Sequence, residues 1–276
     1  MKIIKKKLEG NKPLLLREFS GLKDLTAFLE STPPDAGWDN HCDDYYPYRF
    51  EWAGAHSYTE AKQMLTKGTN IAEIKKAVHR GAGVTMKRQK TLGVIGACPN
   101  VPAYLAGSPA CMYRVDRTRA KGAYNVFVDV GVNCGIEKRQ VCEAGIEILI
   151  RVLKLASTYP VNLLVGDLST YENKVYGCAV KIMDAGRAYN TARVSYALTE
   201  AGFLRVFGLG VIERNGRYWS NRASSGYGYP LDNDERRRVL KATYNNSILI
   251  STLEVIRDSE RAFKDIDAVL AGGRRK

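Results

Sequence analysis

The chain has 276 residues, 45% of them hydrophobic, which is enough for one large domain or a main domain with a smaller companion and excludes disorder throughout. Lysine and arginine number 42 against 29 aspartate and glutamate, and this formal net charge of +13 favours a polyanionic partner. No apolar run approaches the ~20 residues of a membrane-spanning helix, and the basic start Met1-Lys-Ile-Ile-Lys-Lys-Lys leads into residues too polar for a signal-peptide core, so neither membrane nor export is expected.

In chain order, Leu14 to Glu30 reads as a helix, with Leu22, Leu25, Phe28 and Leu29 on one face and Ser20 as N-cap, ended by Thr32-Pro33-Pro34. Residues 35–52 interleave Trp38, Tyr45, Tyr46 and Trp52 with acids, the pattern of an irregular aromatic loop leading into a short strand. Helices are expected at Tyr58 to Thr66 and Asn70 to Arg80, followed by a Gly-rich and basic boundary through Lys90. Val94 to Met112, punctuated by Pro99, Pro102 and Pro109, reads as extended coil.

From Tyr124 the pattern alternates. Tyr124 to Val130 reads as a buried strand, Glu137 to Ser157 as an amphipathic helix and Val161 to Val165 as a second strand, which makes a βαβ unit. Val175 to Met183 adds a strand, Ala188 to Ala201 a helix and Phe203 to Ile212 a fourth strand. The expected fold is α/β, an open and mostly parallel sheet with helices on both faces. Asn215-Gly216 reads as a hairpin turn, Ser220 to Pro230 as a loop, and Asp232 to Leu270 as one or two polar helices. This divides the chain into a helical and aromatic N-terminal region (1–112), an α/β core (113–230), and C-terminal helices with a basic tail (231–276).

The order strand, helix, strand, strand, helix, strand, with Asp129 closing the first strand, resembles the von Willebrand factor A-like fold. That family ends its first strand in Asp-x-Ser-x-Ser, whose oxygens hold a divalent cation. The matching stretch here is Asp129-Val130-Gly131-Val132-Asn133, which keeps the Asp but replaces both Ser. The resemblance therefore implies at most a degenerate metal site, with Asp129, Asn133 and Asp167 as candidates and helix-capping or turn-forming acids as the alternative. The segment Asn100 to Pro109 and the α/β region after it, about half the chain, also resemble uncharacterised proteins of bacteriophages and mobile elements. That likeness implies a bacterial cytoplasm or a virion as the setting and supplies no reaction.

Motifs for other chemistry are missing. There is no phosphate-binding GxxxxGK[ST], no GxSxG and no HExxH, and the three histidines all lie in the N-terminal third. The six cysteines form no CxxC pair and read as reduced thiols; Cys134, near a helix start but without a paired His, reads as a packed small residue. No cofactor is expected.

The stronger signal is arginine mixed with aromatics. Arg205, Arg214, Arg217, Tyr218, Trp219 and Arg222 fall near one expected hairpin, and Arg114, Arg117, Arg119 and Lys121 form a second basic cluster. Guanidinium groups bind phosphates while aromatic faces stack bases, which suits RNA or single-stranded DNA. The first expectation is thus non-enzymatic nucleic-acid binding. A protein-protein or virion-assembly role comes second, because the same residues form interface hot spots. Metal-dependent catalysis at Asp129 and Asp167 comes third.

Overall fold

In the computed structural model the lysine-rich start of the chain is a strand, β1 (Lys2–Lys7), which turns through Gly10 and Asn11, both at positive φ, into antiparallel β2 (Pro13–Phe19). The structure describes residues 1–35, 53–69, 72, 90–95, 98–115, 123–132, 135–171, 173–185, 187–214 and 229–272. A single helix over Leu14 to Glu30 is thereby corrected. Leu14, Leu15 and Leu16 are buried in succession because β2 lies inside a sheet covered on both faces, and the helical period begins only at α1 (Leu22–Ser31). In α2 (Tyr58–Lys67) the expected boundary holds: the Glu60 N–H donates to Ser57 Oγ at 3.0 Å.

The stretch read as extended coil contributes to a small second sheet. Here β3 (Lys90–Gly93), β4 (Cys98–Pro99) and β5 (Met112–Val115) pair antiparallel in the order β3-β5-β4, and α3 (Val101–Leu105) follows β4.

The βαβ unit forms as expected from β6 (Tyr124–Asp129), α4 (Lys138–Ala156) and β7 (Val161–Tyr171), with β6 and β7 parallel. At the start of α4 the Glu137 N–H donates to Gln140 Oε1 at 3.1 Å, and Val141, Ile148, Leu149 and Val152 are buried along one face. β8 (Lys174–Met183) returns antiparallel to β7 through Asn173, at φ 59°. Next comes α5 (Thr191–Thr199), capped by Asn190. The run Phe203 to Ile212 is helical and not a strand: a π-helical turn over Phe203–Gly208 passes into α6 (Leu209–Ile212), and every residue is buried. A helix buried on all sides has no polar face and hence no 3.6-residue period, so its sequence looks like that of a buried strand.

The chain closes with β9 (Tyr229–Pro230), α7 (Asn233–Thr243), β10 (Ser247–Ser251), α8 (Thr252–Arg257) and α9 (Ser259–Gly272). Helices alone were expected here, so β10 is an addition. The main sheet runs β1-β2-β8-β7-β6-β10, with β9 pairing off β7. β10, β6 and β7 are parallel to one another, as are β2 and β8, while the β1–β2 and β7–β8 pairs are antiparallel. The fold is therefore mixed α/β with a mostly parallel sheet, and that sheet takes strands from all three regions distinguished in the sequence.

The two faces are covered unequally. One carries the larger core, built with α1, α2, α4, α5, α6, α8 and α9. The other, lined by Leu14, Leu16, Phe127, Leu164, Leu168 and Leu249, meets α7 alone among the described helices, through Val239 and Leu240. Among the described residues no helix is long and apolar enough to cross a membrane. The aromatic segment 36–52, most of the helix expected at Asn70 to Arg80, the Asn215-Gly216 turn, residues 220–228 and the tail after Gly272 lie outside the described residues.

Candidate functional site

Two places concentrate charge, and α7 contributes to both. The first is buried at the carboxyl ends of β6 and β10. Asp129, the last residue of β6, is 0% exposed, and Asp167 in β7 is 5% exposed. Asp129 Oδ1 accepts from the Gly131 N–H at 2.8 Å, and Asp167 Oδ2 accepts from Ser169 Oγ at 2.7 Å. Gly131 explains why the stretch departs from the Ser pattern. A Cβ there would stand less than 3.0 Å from both Asp129 Oδ1 and Asp167 Oδ1, so only glycine leaves room for the carboxylates to converge.

Arg236, on the first turn of α7 and 3% exposed, supplies the counter-charge: its Nε lies 2.9 Å from Asp129 Oδ2. Its Nη1 donates to Ser251 Oγ at 3.1 Å and to Asn233 Oδ1 at 3.0 Å. Ser251 ends β10 directly opposite Asp129 in the parallel register. The ion pair is close but poorly aligned. Arg236 Nε and Nη2, Asp129 Oδ2 and the Thr252 hydroxyl beyond Ser251 are buried without a hydrogen bond among the described residues.

Two acids against one guanidinium leave an excess of buried negative charge. Burial, followed by the neighbouring Asp167, pushes the Asp129 carboxyl up to about 7 against the pull of Arg236. Asp167 is also raised, chiefly by burial. Cys178, opposite Asp167 in the β7–β8 ladder, is pushed up to about 12 by burial and then by that acid, so it is an inert thiol.

The second place is an open cleft of about 400 Å³ between the β1–β2 turn, the start of β8 and the outer side of α7. Lys7, Lys12, Arg238 and Lys241 rim it, and Val239 forms part of its floor. The acid Glu235 on the rim pairs with Lys12 at 2.7 Å. Lys6 extends the basic rim along β1 and donates to the Ala242 carbonyl of α7. The rim has four cations and one acid, so its field is positive.

The residues singled out in the sequence fare differently. Arg205 is 4% exposed within the π-helical turn and donates to the Ile136 carbonyl at 3.3 Å. Arg214 is 3% exposed and donates to the carbonyls of Thr32 and Gly210, at 2.5 and 2.8 Å. Both guanidiniums thus satisfy backbone acceptors in the interior, which takes them off any surface that could meet a nucleic acid. Arg114 lies in β5; Arg117, Arg119, Lys121, Asn133, Arg217, Tyr218, Trp219 and Arg222 lie outside the described residues. Asp129 and Asp167 are brought together as expected, whereas Arg236 and the cleft lysines were missed. The signals available for these were the Lys5-Lys6-Lys7 and Arg236-Arg237-Arg238 runs.

A family model described as a domain of unknown function, DUF7192, matches residues 5–272. No curated protein and no solved structure matches the chain.

Proposed function

The chain belongs to this family of domains of unknown function, and we propose that it is a non-enzymatic module that binds RNA or single-stranded DNA through the cleft between the β1–β2 turn and α7. The observation that carries this reading is the convergence of Lys7, Lys12, Arg238 and Lys241 from separate elements on one concavity. Lysines on an edge strand also guard it against pairing with other chains, and that role covers Lys5, Lys6 and Lys7 of β1. It does not account for Arg238 and Lys241, which a helix adds to the same rim. The cleft has the chemistry of a phosphate track, and Tyr218 and Trp219, which precede α7 in sequence, are the candidates for base stacking. The core is read as von Willebrand factor A-like, on the strand order β8-β7-β6-β10 with Asp129 at the first strand's end. In this reading the protein acts in the bacteriophage or mobile-element setting implied by the Asn100 to Pro109 resemblance.

Fluorescence anisotropy with oligouridylate and oligothymidylate of equal length, titrated from about 50 to 200 mM salt, tests the reading. Binding should weaken with a log–log slope of about −2 to −3, and Lys7→Glu with Lys241→Glu should reduce that slope by about 0.7 for each phosphate no longer neutralised. Absence of binding at low salt, or a slope that both changes leave intact, would end it.

A second reading, protein association, has its own observation. Val94, Ile95, Tyr104 and Leu105, on and beside the small sheet, are 73, 84, 68 and 78% exposed. If this region self-associates, sedimentation velocity should show a concentration-dependent oligomer that Ile95→Asp with Leu105→Asp dissolves. A wild-type monomer at all concentrations rules out self-association.

A further inference from the structure

The oxygen atoms gathered at the ends of β6 and β10 form an unusual set for the inside of a protein. The carboxylates of Asp129 and Asp167 converge on Gly131, and Ser251, whose hydroxyl meets the Arg236 guanidinium, stands across the ladder from Asp129. Carboxylates mixed with hydroxyls are hard donors of the kind that surround Mg²⁺ or Ca²⁺. Among the described residues no third acid joins them. What stands among them instead is a side chain of the protein itself, the Arg236 guanidinium, 2.9 Å from Asp129 Oδ2 and 3.1 Å from Ser251 Oγ.

The fit of that guanidinium is incomplete. A planar fork is suited to two parallel bonds to one carboxylate. Arg236 instead approaches Asp129 through Nε without hydrogen-bond alignment, and its Nη2 finds no acceptor among the described residues. Asp129 Oδ2, on a fully buried residue, also lacks a hydrogen bond there. A small spherical cation makes no demand on bond angle from its own side and would satisfy such an oxygen. The guanidinium supplies the charge without satisfying the geometry.

We propose that Arg236 is a built-in cation: its guanidinium fills a divalent-cation site at the ends of β6 and β10, so that the wild-type site takes no metal and removal of the guanidinium uncovers a site for Mg²⁺ or Mn²⁺. Arg236 is then a positioning residue that holds α7 on the sheet without an external ion. This inference is independent of the nucleic-acid reading, since it concerns the inner face of α7 and not the cleft.

The test uses the full chain with Arg236→Ala and Arg236→Met, the second keeping an apolar stem for packing. Binding of Mn²⁺ is followed by loss of the free-ion paramagnetic resonance signal, and stability by thermal unfolding in chelator and in Mn²⁺ or Mg²⁺. Both variants should melt below wild type in chelator, recover with either divalent ion but not with sodium, and bind Mn²⁺ at least about tenfold more tightly than wild type. Adding Asp129→Asn should abolish the Mn²⁺ response and restore part of the lost stability in chelator. Variants that gain no Mn²⁺ binding, or that stay unfolded with the metal present, overturn the proposal. So does a wild-type protein that binds Mn²⁺ through Asp129.

Discussion

Along one helix, α7, the guanidinium of Arg236 is shut inside against Asp129, while Lys241 stands exposed on the rim of the cleft. The two side chains carry the same charge at neutral pH, and burial separates what each can contribute. An interior cation that loses its partner keeps its desolvation cost, so the value of Arg236 lies in the fold. A rim cation is already solvated, so removing it changes stability little and shows up in what the surface attracts.

The sharpest way to break this contrast is Asp129→Ala, which removes the carboxylate that Arg236 lies against and leaves only Asp167 to offset the buried guanidinium. It should cost about 3–5 kcal/mol in urea unfolding; a loss no larger than that of a surface change would mean that the pair is not a structural element. Gly131→Ala comes next. Its methyl group would force the two carboxylates apart, and an expected loss of about 1–3 kcal/mol is read from the same unfolding curves.

A third test uses pH. Asp129 is raised from 3.8 to about 7 in the folded state, so between those values the folded chain binds more protons than the unfolded one. Its contribution is therefore complete below pH ~4 and is lost as pH rises through ~7. Asp167→Asn removes the neighbouring acid and should flatten this fall, raising the melting midpoint relative to wild type at about pH 8 and leaving it nearly unchanged at about pH 4. Equal effects at both values would show that the two acids do not act on each other. The smallest effect on the fold belongs to Lys7→Glu and Lys241→Glu, each expected within about 0.5 kcal/mol of wild type while altering the salt dependence of oligonucleotide binding. A large loss of stability there would erase the distinction.

The centre of the fold was legible because its elements show their periods: Val126 to Val128 as a continuous apolar run, and Val141, Ile148, Leu149 and Val152 at helical spacing. The edges were not. In β1 only Ile4 is buried, so a strand of lysines has no alternation to read, and the fully buried Phe203 to Ile212 conceals a helix for the opposite reason. β10 is a short strand of five residues between polar helices, too brief to stand out. At the site, Asp129 was visible as an acid closing its strand and Asp167 as one just past the expected second strand, although β7 runs on through it to Tyr171. Arg236 was not, because nothing in Arg236-Arg237-Arg238 tells which side chain turns inward; that is decided by the register of α7 over Leu240 and Val239.

The parallel pairing of β10 with β6 has a consequence for the order of assembly. During synthesis the strands from β1 to β8 leave the ribosome well before Arg236 and β10. Until then one edge of β6 has no neighbour and Asp129 has no cation beside it, so the carboxyl end of the nascent sheet has to stay wet or protonated. It is α7 that brings a guanidinium to Asp129 and β10 that covers this edge of β6. Completion of the sheet is thus tied to α7 and β10, and a polypeptide released before Arg236 would keep an open strand and lack the cation beside Asp129, features by which quality-control proteases could distinguish it from the finished protein.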